Sequence, residues 1–539
     1  MKTTSIWRQD ADDHQYPTLQ RELIADVAII GGGITGITTA HLLASAGQRV
    51  VVLEARKVAE STTGYSTGNL YAPVGEYLHH LKAKYDLETV SAVTASRTAA
   101  ITRIETLIRR FSIDSHFQRV PWYLLTENAE DDAFIKKEYA TAQSSGLPAR
   151  FETTSPLPYP ISSALRLDQQ AQFNPMAYVK ELAAHTVGNN CLIFENSNVL
   201  EVEEGKLNVV HTQHGKVRAR HVIHATHTPK GIWFLHTLLG PYREYALAVS
   251  LNSPPPPEGT YWAYHGQHHH SLRPYTNDRG EHFLLILGES HKVGHKEDNE
   301  ENFQKLEEYV RQRFDVKAVE YRWAAQQYKA ADGLPYIGRK HSGSEIFVAT
   351  GFAADGLVYG TLSAMILSDL ILGKENPWAD LYAPTRHRPL QAAPKFIKEN
   401  VDVMVQYLKD LPYRSQVEEL ADVQAGEGKN IELDGKNYGA YRDATGKLHV
   451  VSAVCTHMAC LVHFNQAEKS WDCPCHGSRF DIEGRVLEGP AYQDLSRMQE
   501  KPTTSNRYKT ITSSAFFAAS ALAGVFFLRK YVRNKKSSK

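Results

Sequence analysis

The run from Asp26 to Ile30 leads into Gly31-Gly-Gly33-Ile-Thr-Gly36, then into the helix-prone stretch 37–47, and a second apolar run ends at Glu54. This order of strand, glycine turn, helix, strand and terminal acid constrains the fold more than any other feature, because it demands a parallel α/β unit. Gly31 makes the tight turn, Gly33 lets the backbone approach a pyrophosphate, and Gly36 admits close helix packing. The helix that follows aims its unpaired N–H groups and positive end at phosphate. Glu54 can accept from a ribose hydroxyl and would repel a 2′-phosphate, which disfavours NADP. FAD and NAD both fit this local unit, and no second fingerprint occurs along the chain.

The remainder is read as further folded units, since 539 residues at roughly 100 to 200 per domain suggest about three or four. Lys plus Arg equals Asp plus Glu at 60 each, so the aggregate field that draws a chain to nucleic acid is absent. Residues 1–24 form an N-terminal extension and 80–145 read as mostly helical. Short β-rich segments across about 150–330, interrupted by Ser253–Gly259, predict a separate α+β substrate domain. Strand, turn and helix return between Phe347 and Gly373, closing the first unit near residue 383. A helical linker over 384–412 then precedes a glycine-rich, short-stranded all-β domain at 413–497.

That last domain holds Cys455, Cys460, Cys473 and Cys475, while Cys191 stands alone. Cys455-Thr-His457 and Cys473-Pro-Cys-His476 place a thiolate and an imidazole on each of two loops. The strongest inorganic match is a Rieske [2Fe–2S] centre, with two cysteines on one iron and two histidines on the other. A tetrahedral zinc site uses similar residues, but zinc fingers pair Cys with Cys and His with His.

Two resemblances sharpen these readings. The fingerprint, Thr62–Asn69, Ala225–His227, and 332–338 followed by 349–356 resemble, in order, the motifs of the D-amino acid oxidase-like FAD oxidoreductases over about Ala25–Gly373. That resemblance implies a Rossmann-like FAD-binding fold, with Gly351, Asp355 and Gly356 near the flavin and Val199 near the adenine. His227 departs from it, standing where the family usually has glycine. CTHMAC and CPCHGS resemble the Rieske family, which implies Cys455, His457, Cys473 and His476 as cluster ligands and a disulfide between Cys460 and Cys475. By the same resemblance Ser478 donates toward a cluster sulfur, whereas Phe480 replaces a tyrosine. Losing that hydroxyl predicts a potential in the lower or middle part of the roughly −150 to +300 mV Rieske range.

Joined in one chain, the modules imply a dehydrogenase that oxidises an amine or amino-acid-like substrate at FAD and passes electrons through the cluster to an external acceptor such as a quinone or cytochrome. The alternatives are a flavin oxidase that uses oxygen directly, with a structural or sensing cluster, and a membrane-tethered carrier reduced by a protein partner. A Rieske-type aromatic oxygenase would need a further iron-binding domain, for which too little chain follows Arg497. No catalytic acid or base is selected by the sequence. Arg273, His291 and Lys292 are candidates to hold a carboxylate or tune the flavin, and Tyr328, Lys329 and Asp332 precede the returning motif. The histidine-rich stretch with His265, His268, His269, His270, His282 and His295 reads as a solvated loop. Thr510–Leu528 lacks charge and is followed by a basic tail, 529–539, which predicts a C-terminal hydrophobic helix on or in a membrane. The polar N-terminus carries no export signal, so the expected location is cytoplasmic, attached to the cytoplasmic membrane surface.

Overall fold

The computed structural model describes residues 1–8, 15–188, 190–266, 268–296, 298–386, 395–401, 403 and 415–498. Its first large sheet runs in the order Tyr336–Arg339, Ile346–Thr350, Lys216–His224, Glu22–Ile30, Val50–Leu53, Cys191–Phe194. Neighbours are parallel except at the Tyr336–Arg339 edge. The inner strands are buried nearly throughout, as expected of parallel strands covered on both faces. The helices Ile34–Ser45 and Gly356–Ile371 pack together, and each begins where a strand of this sheet ends.

The second large sheet is predominantly antiparallel and runs Val316–Ala330, Leu239–Leu251, His282–Lys292, His268–Thr276, Thr260–His265, Gln118–Thr126, Ser163–Gln172, Asn69–Leu70. Its strands therefore come from within the expected substrate domain and from the chain before it. Asn69–Leu70 and Gln118–Thr126 lie before residue 150, and the segments Val199–Glu203 and Asn208–Thr212 instead form a hairpin on the first sheet. The 80–145 region likewise interrupts its helices, Leu87–Phe111 and Asp132–Ser144, with one strand of this sheet. Alternation in Gln118–Thr126 buries Trp122 and Leu124 against one core and Tyr123 and Leu125 against another, a two-sided burial that periodicity alone does not distinguish from helix.

The cluster domain is all-β. A sheet of Gly428–Leu433, Lys436–Arg442 and Leu448–Ser452 accompanies a second of His463–Asn465, Ser470–Asp472, Arg479–Asp481 and Val486–Glu488. The N-terminal extension is anchored, because Trp7 is buried and its indole N–H donates to the Ser66 carbonyl at 2.6 Å. Within the expected linker, 395–400 are helical. The expected C-terminal helix and basic tail lie outside the described residues. No helix among the described residues is long and apolar enough to cross a membrane.

Candidate active site and cluster centre

A cavity of about 400 Å³ starts at the first glycine turn and extends under the second sheet. At one end lie Gly31, Gly33, Glu54, Asn198 and Val199; at the other lie Asn69, Tyr71, Glu244, Trp262, His269, Gln327 and Gly356. Gly31 has φ +110°, and a Cβ there would collide with the Ala225 carbonyl, so only glycine closes this turn. Gly33 precedes the helix Ile34–Ser45 without giving it a side-chain cap. Glu54 is aimed by two backbone donors, Gly32 N at 2.7 Å and Arg56 N at 2.9 Å, and keeps further lone pairs for a hydroxyl. These features fit a dinucleotide: a helix start whose glycine N-cap brings no side chain, a turn with no room for side chains, and an oriented acceptor.

Other predicted residues support this cavity from behind. Gly36 packs against the Gly31 carbonyl, and Gly351 and Asp355 lie beneath the wall. Asp355 accepts from Tyr71 Oη at 2.6 Å and Gly75 N at 2.9 Å and pairs with the buried Arg97 at 3.3 Å. His227 occupies a left-handed conformation at φ 66°, the backbone that the family's glycine adopts freely. Its ring meets Tyr328 edge-on at 4.8 Å, and burial holds it neutral, down to about 4.

Several candidates do not line the cavity. Arg273 is buried with its guanidinium donating to the Thr67 and Phe173 carbonyls at 2.6 and 3.1 Å, a structural role. His291 bonds Tyr245 and the Lys292 carbonyl, Lys292 pairs with Glu399, and Asp332 is paired with Arg386. Lone Cys191 is buried, its thiol pushed up to about 12. The histidine-rich stretch is not a solvated loop: His270 is buried and stacks on Tyr309 at 3.8 Å, and His269 stacks on Trp262 at 5.1 Å inside the cavity. Glu244, Trp262 and Gln327 were not legible as site residues, because each reads locally as an ordinary strand position.

In the cluster domain Cys455 and Cys473 are free and buried, and close enough that each perturbs the other's thiol. Cys460, Cys473 and Cys475 crowd together within 4.8 Å, but the first and third are joined as a disulfide with Cα atoms 6.5 Å apart. The His457 and His476 rings lie 5.0 Å apart, and the Nδ1 of each is buried with no partner among the described residues. Burial pulls His457 down to about 4 and lowers His476 as well, so both imidazoles offer neutral lone pairs. Two thiols and two orphaned imidazole nitrogens fit a Cys₂His₂-ligated [2Fe–2S] group. Phe480 is fully buried, and the Ser478 hydroxyl accepts from Ala491 N at 3.1 Å.

The two centres share a boundary. His457 Nε2 donates to the Gly231 carbonyl at 3.1 Å, and Tyr328 Oη donates to the carbonyls of His476 and Gly489 at 3.3 and 3.1 Å. Gln326 Nε2 donates to the Gly477 carbonyl at 2.8 Å. Arg485, Val486, Leu487, Glu488, Gly489 and Asp494 of the cluster domain complete the cavity wall.

Comparison with known proteins agrees with this geometry. Residues 26–370 match the family of FAD dependent oxidoreductases, and 414–499 match the Rieske [2Fe-2S] domain. The Rieske 2Fe-2S iron-sulfur protein YhfW of Bacillus subtilis (strain 168) is 33% identical over 92% of this chain and 97% of its own. Glycine oxidase from Geobacillus kaustophilus shares the fold at a TM-score of 0.58 and 20% identity, over 68% of this chain and 99% of that one. The chloroplastic cytochrome b6-f complex iron-sulfur subunit of Pisum sativum is 52% identical over 10% of this chain and 24% of its own. The chain belongs to the FAD dependent oxidoreductase family and carries a C-terminal Rieske domain; its cofactors are FAD and a [2Fe–2S] cluster.

Proposed function

We propose that this enzyme is a dehydrogenase that oxidises an amine or amino-acid-like substrate and sends the electrons through its own cluster to an external quinone or cytochrome. FAD supplies two-electron oxidation, and the cluster accepts electrons singly. Residues 31–36, Glu54 and Val199 would hold the adenine dinucleotide, and the start of the helix Gly356–Ile371 would face the flavin end, where its positive dipole favours added negative charge.

One observation carries the reading. A single strand, Val316–Ala330, presents Gln327 to the substrate end of the cavity and the next residue, Tyr328, to the cluster ligand His476. The named activity of glycine oxidase, a neighbour in fold, supports an amino-acid-like substrate, and the b6-f subunit supports electron delivery by the cluster. Attachment to the cytoplasmic membrane surface is part of this proposal, supported by the apolar run 510–528 and the basic residues after it.

The test is anaerobic mixing of the holoenzyme with a panel of amines and amino acids, following flavin bleaching optically and the cluster by electron paramagnetic resonance. Bleaching followed by the reduced-cluster signal is expected. Bleaching with a silent cluster, and stoichiometric peroxide once oxygen is admitted, would establish a direct oxidase instead.

A further inference from the structure

Strand alternation in Leu239–Leu251 turns Glu244 into the substrate end of the cavity, where the residue is 5% exposed. Its partners there are few. Gln327 Nε2 donates to Oε2 at 3.2 Å, and His269 Nε2 stands 3.7 Å from Oε1, beyond hydrogen-bond reach. Giving that amide N–H to Glu244 leaves Gln327 Oε1 buried with no partner among the described residues. Two acceptors, one of them anionic, therefore sit together beside the indole of Trp262. Burial raises the Glu244 carboxyl to about 7, as expected of a desolvated acid with no Lys or Arg among the described residues in direct contact.

Basic side chains do not serve this end. Arg56, Lys230 and Arg485 line the same cavity, but Arg56 adjoins Glu54 and bonds Ser61, Lys230 bonds Asn198, and Arg485 pairs with Asp481. Arg273 donates to backbone carbonyls, and Lys329, whose charge partly offsets the burial of Glu244 without bonding to it, lies 3.9 Å from Glu76. The indole N–H of Trp262, without a partner among the described residues, is a single neutral donor, too little to offset desolvation of a carboxylate.

Resting on the amine-oxidising reading above, we infer that the substrate is a cation held by its ammonium group, with Glu244 as counter-ion and Gln327 as second acceptor, and that binding needs no carboxylate on the substrate. An ammonium carries several N–H donors for these acceptors. A buried acid without a contacting cation is what such a ligand would complete.

The inference is tested on the oxidised holoenzyme by titrating benzyltrimethylammonium and phenylacetate separately against the visible flavin spectrum. Neither probe needs turnover. The cation should bind at least about tenfold more tightly than the anion in the wild type, and Glu244→Gln should weaken the cation at least about tenfold while leaving phenylacetate unchanged or tighter. Tighter binding of phenylacetate to the wild type, or an unchanged cation Kd in E244Q, overturns it. FAD content and the cluster signal report on folding of the variant; should E244Q lose FAD, the wild-type preference between probes decides alone. If amines bleach the flavin but the cation shows no preference, this inference fails and the amine-oxidising reading survives. If the cation binds through Glu244 but no amine bleaches the flavin, the ammonium site stands and that reading falls.

Discussion

Arg243 and Glu244 are consecutive, and both are almost fully buried, yet they sit in opposite electrostatic surroundings. Arg243 points to the cluster domain, where its Nε donates to Glu468 at 3.0 Å and Glu488 lies 3.8 Å away. Glu244 points into the cavity, where no Lys or Arg among the described residues contacts it. A buried charge met by opposite charges holds a structure together, whereas one left without them lies ready for a ligand. One strand thus clamps the two domains with one face and builds the substrate end with the other.

The largest expected effect comes from breaking the clamp. Arg243→Leu leaves Glu468 and Glu488 to Arg479 and should cost about 2–3 kcal/mol, read as a lower thermal midpoint and faster proteolysis between the domains. Glycine 477 sharpens the same point. It has φ +78°, and a Cβ there would lie 2.6 Å from Pro241 Cβ, so Gly477→Ala should cost about 1–2 kcal/mol. Because that loop carries the cluster, flash-photolysis kinetics should also show slower cluster reduction in G477A.

The opposite face should behave in the opposite way. Glu244→Gln removes a desolvated acid, so stability at neutral pH should change by less than about 1 kcal/mol while cation affinity falls at least about tenfold. The pH profile follows from the raised carboxyl. With Glu244 near 7, only its ionised form attracts a cation, so affinity for benzyltrimethylammonium should rise about tenfold from about pH 6 to about pH 8 and then level off. Lys329, Asp355, His269, Tyr71 and Tyr77 face the same carboxyl and set its environment. The probe does not titrate, so a flat profile in E244Q would assign the slope to Glu244.

Much of this architecture was legible because its chemistry is local. The glycine turn with Glu54 and the two cysteine–histidine loops declare themselves within a few residues, since a pyrophosphate and a cluster each need ligands at fixed short spacings. The second sheet was harder, as strands from 69–172 and 239–330 meet only in three dimensions. Glu244, Gln327, Trp262 and His269 come from four separate strands, so no spacing could reveal them. Arg273 misled for the same reason: its burial and its carbonyl partners belong to distant segments.

The most direct test of the central claim, that flavin and cluster exchange electrons within one chain, is the concentration dependence of cluster reduction after a light pulse reduces the flavin. Contact through Tyr328, Gln326 and Gly231 predicts a first-order rate unchanged by dilution of the protein. A rate that falls in proportion to protein concentration would mean that electrons pass between molecules and would contradict transfer within one chain.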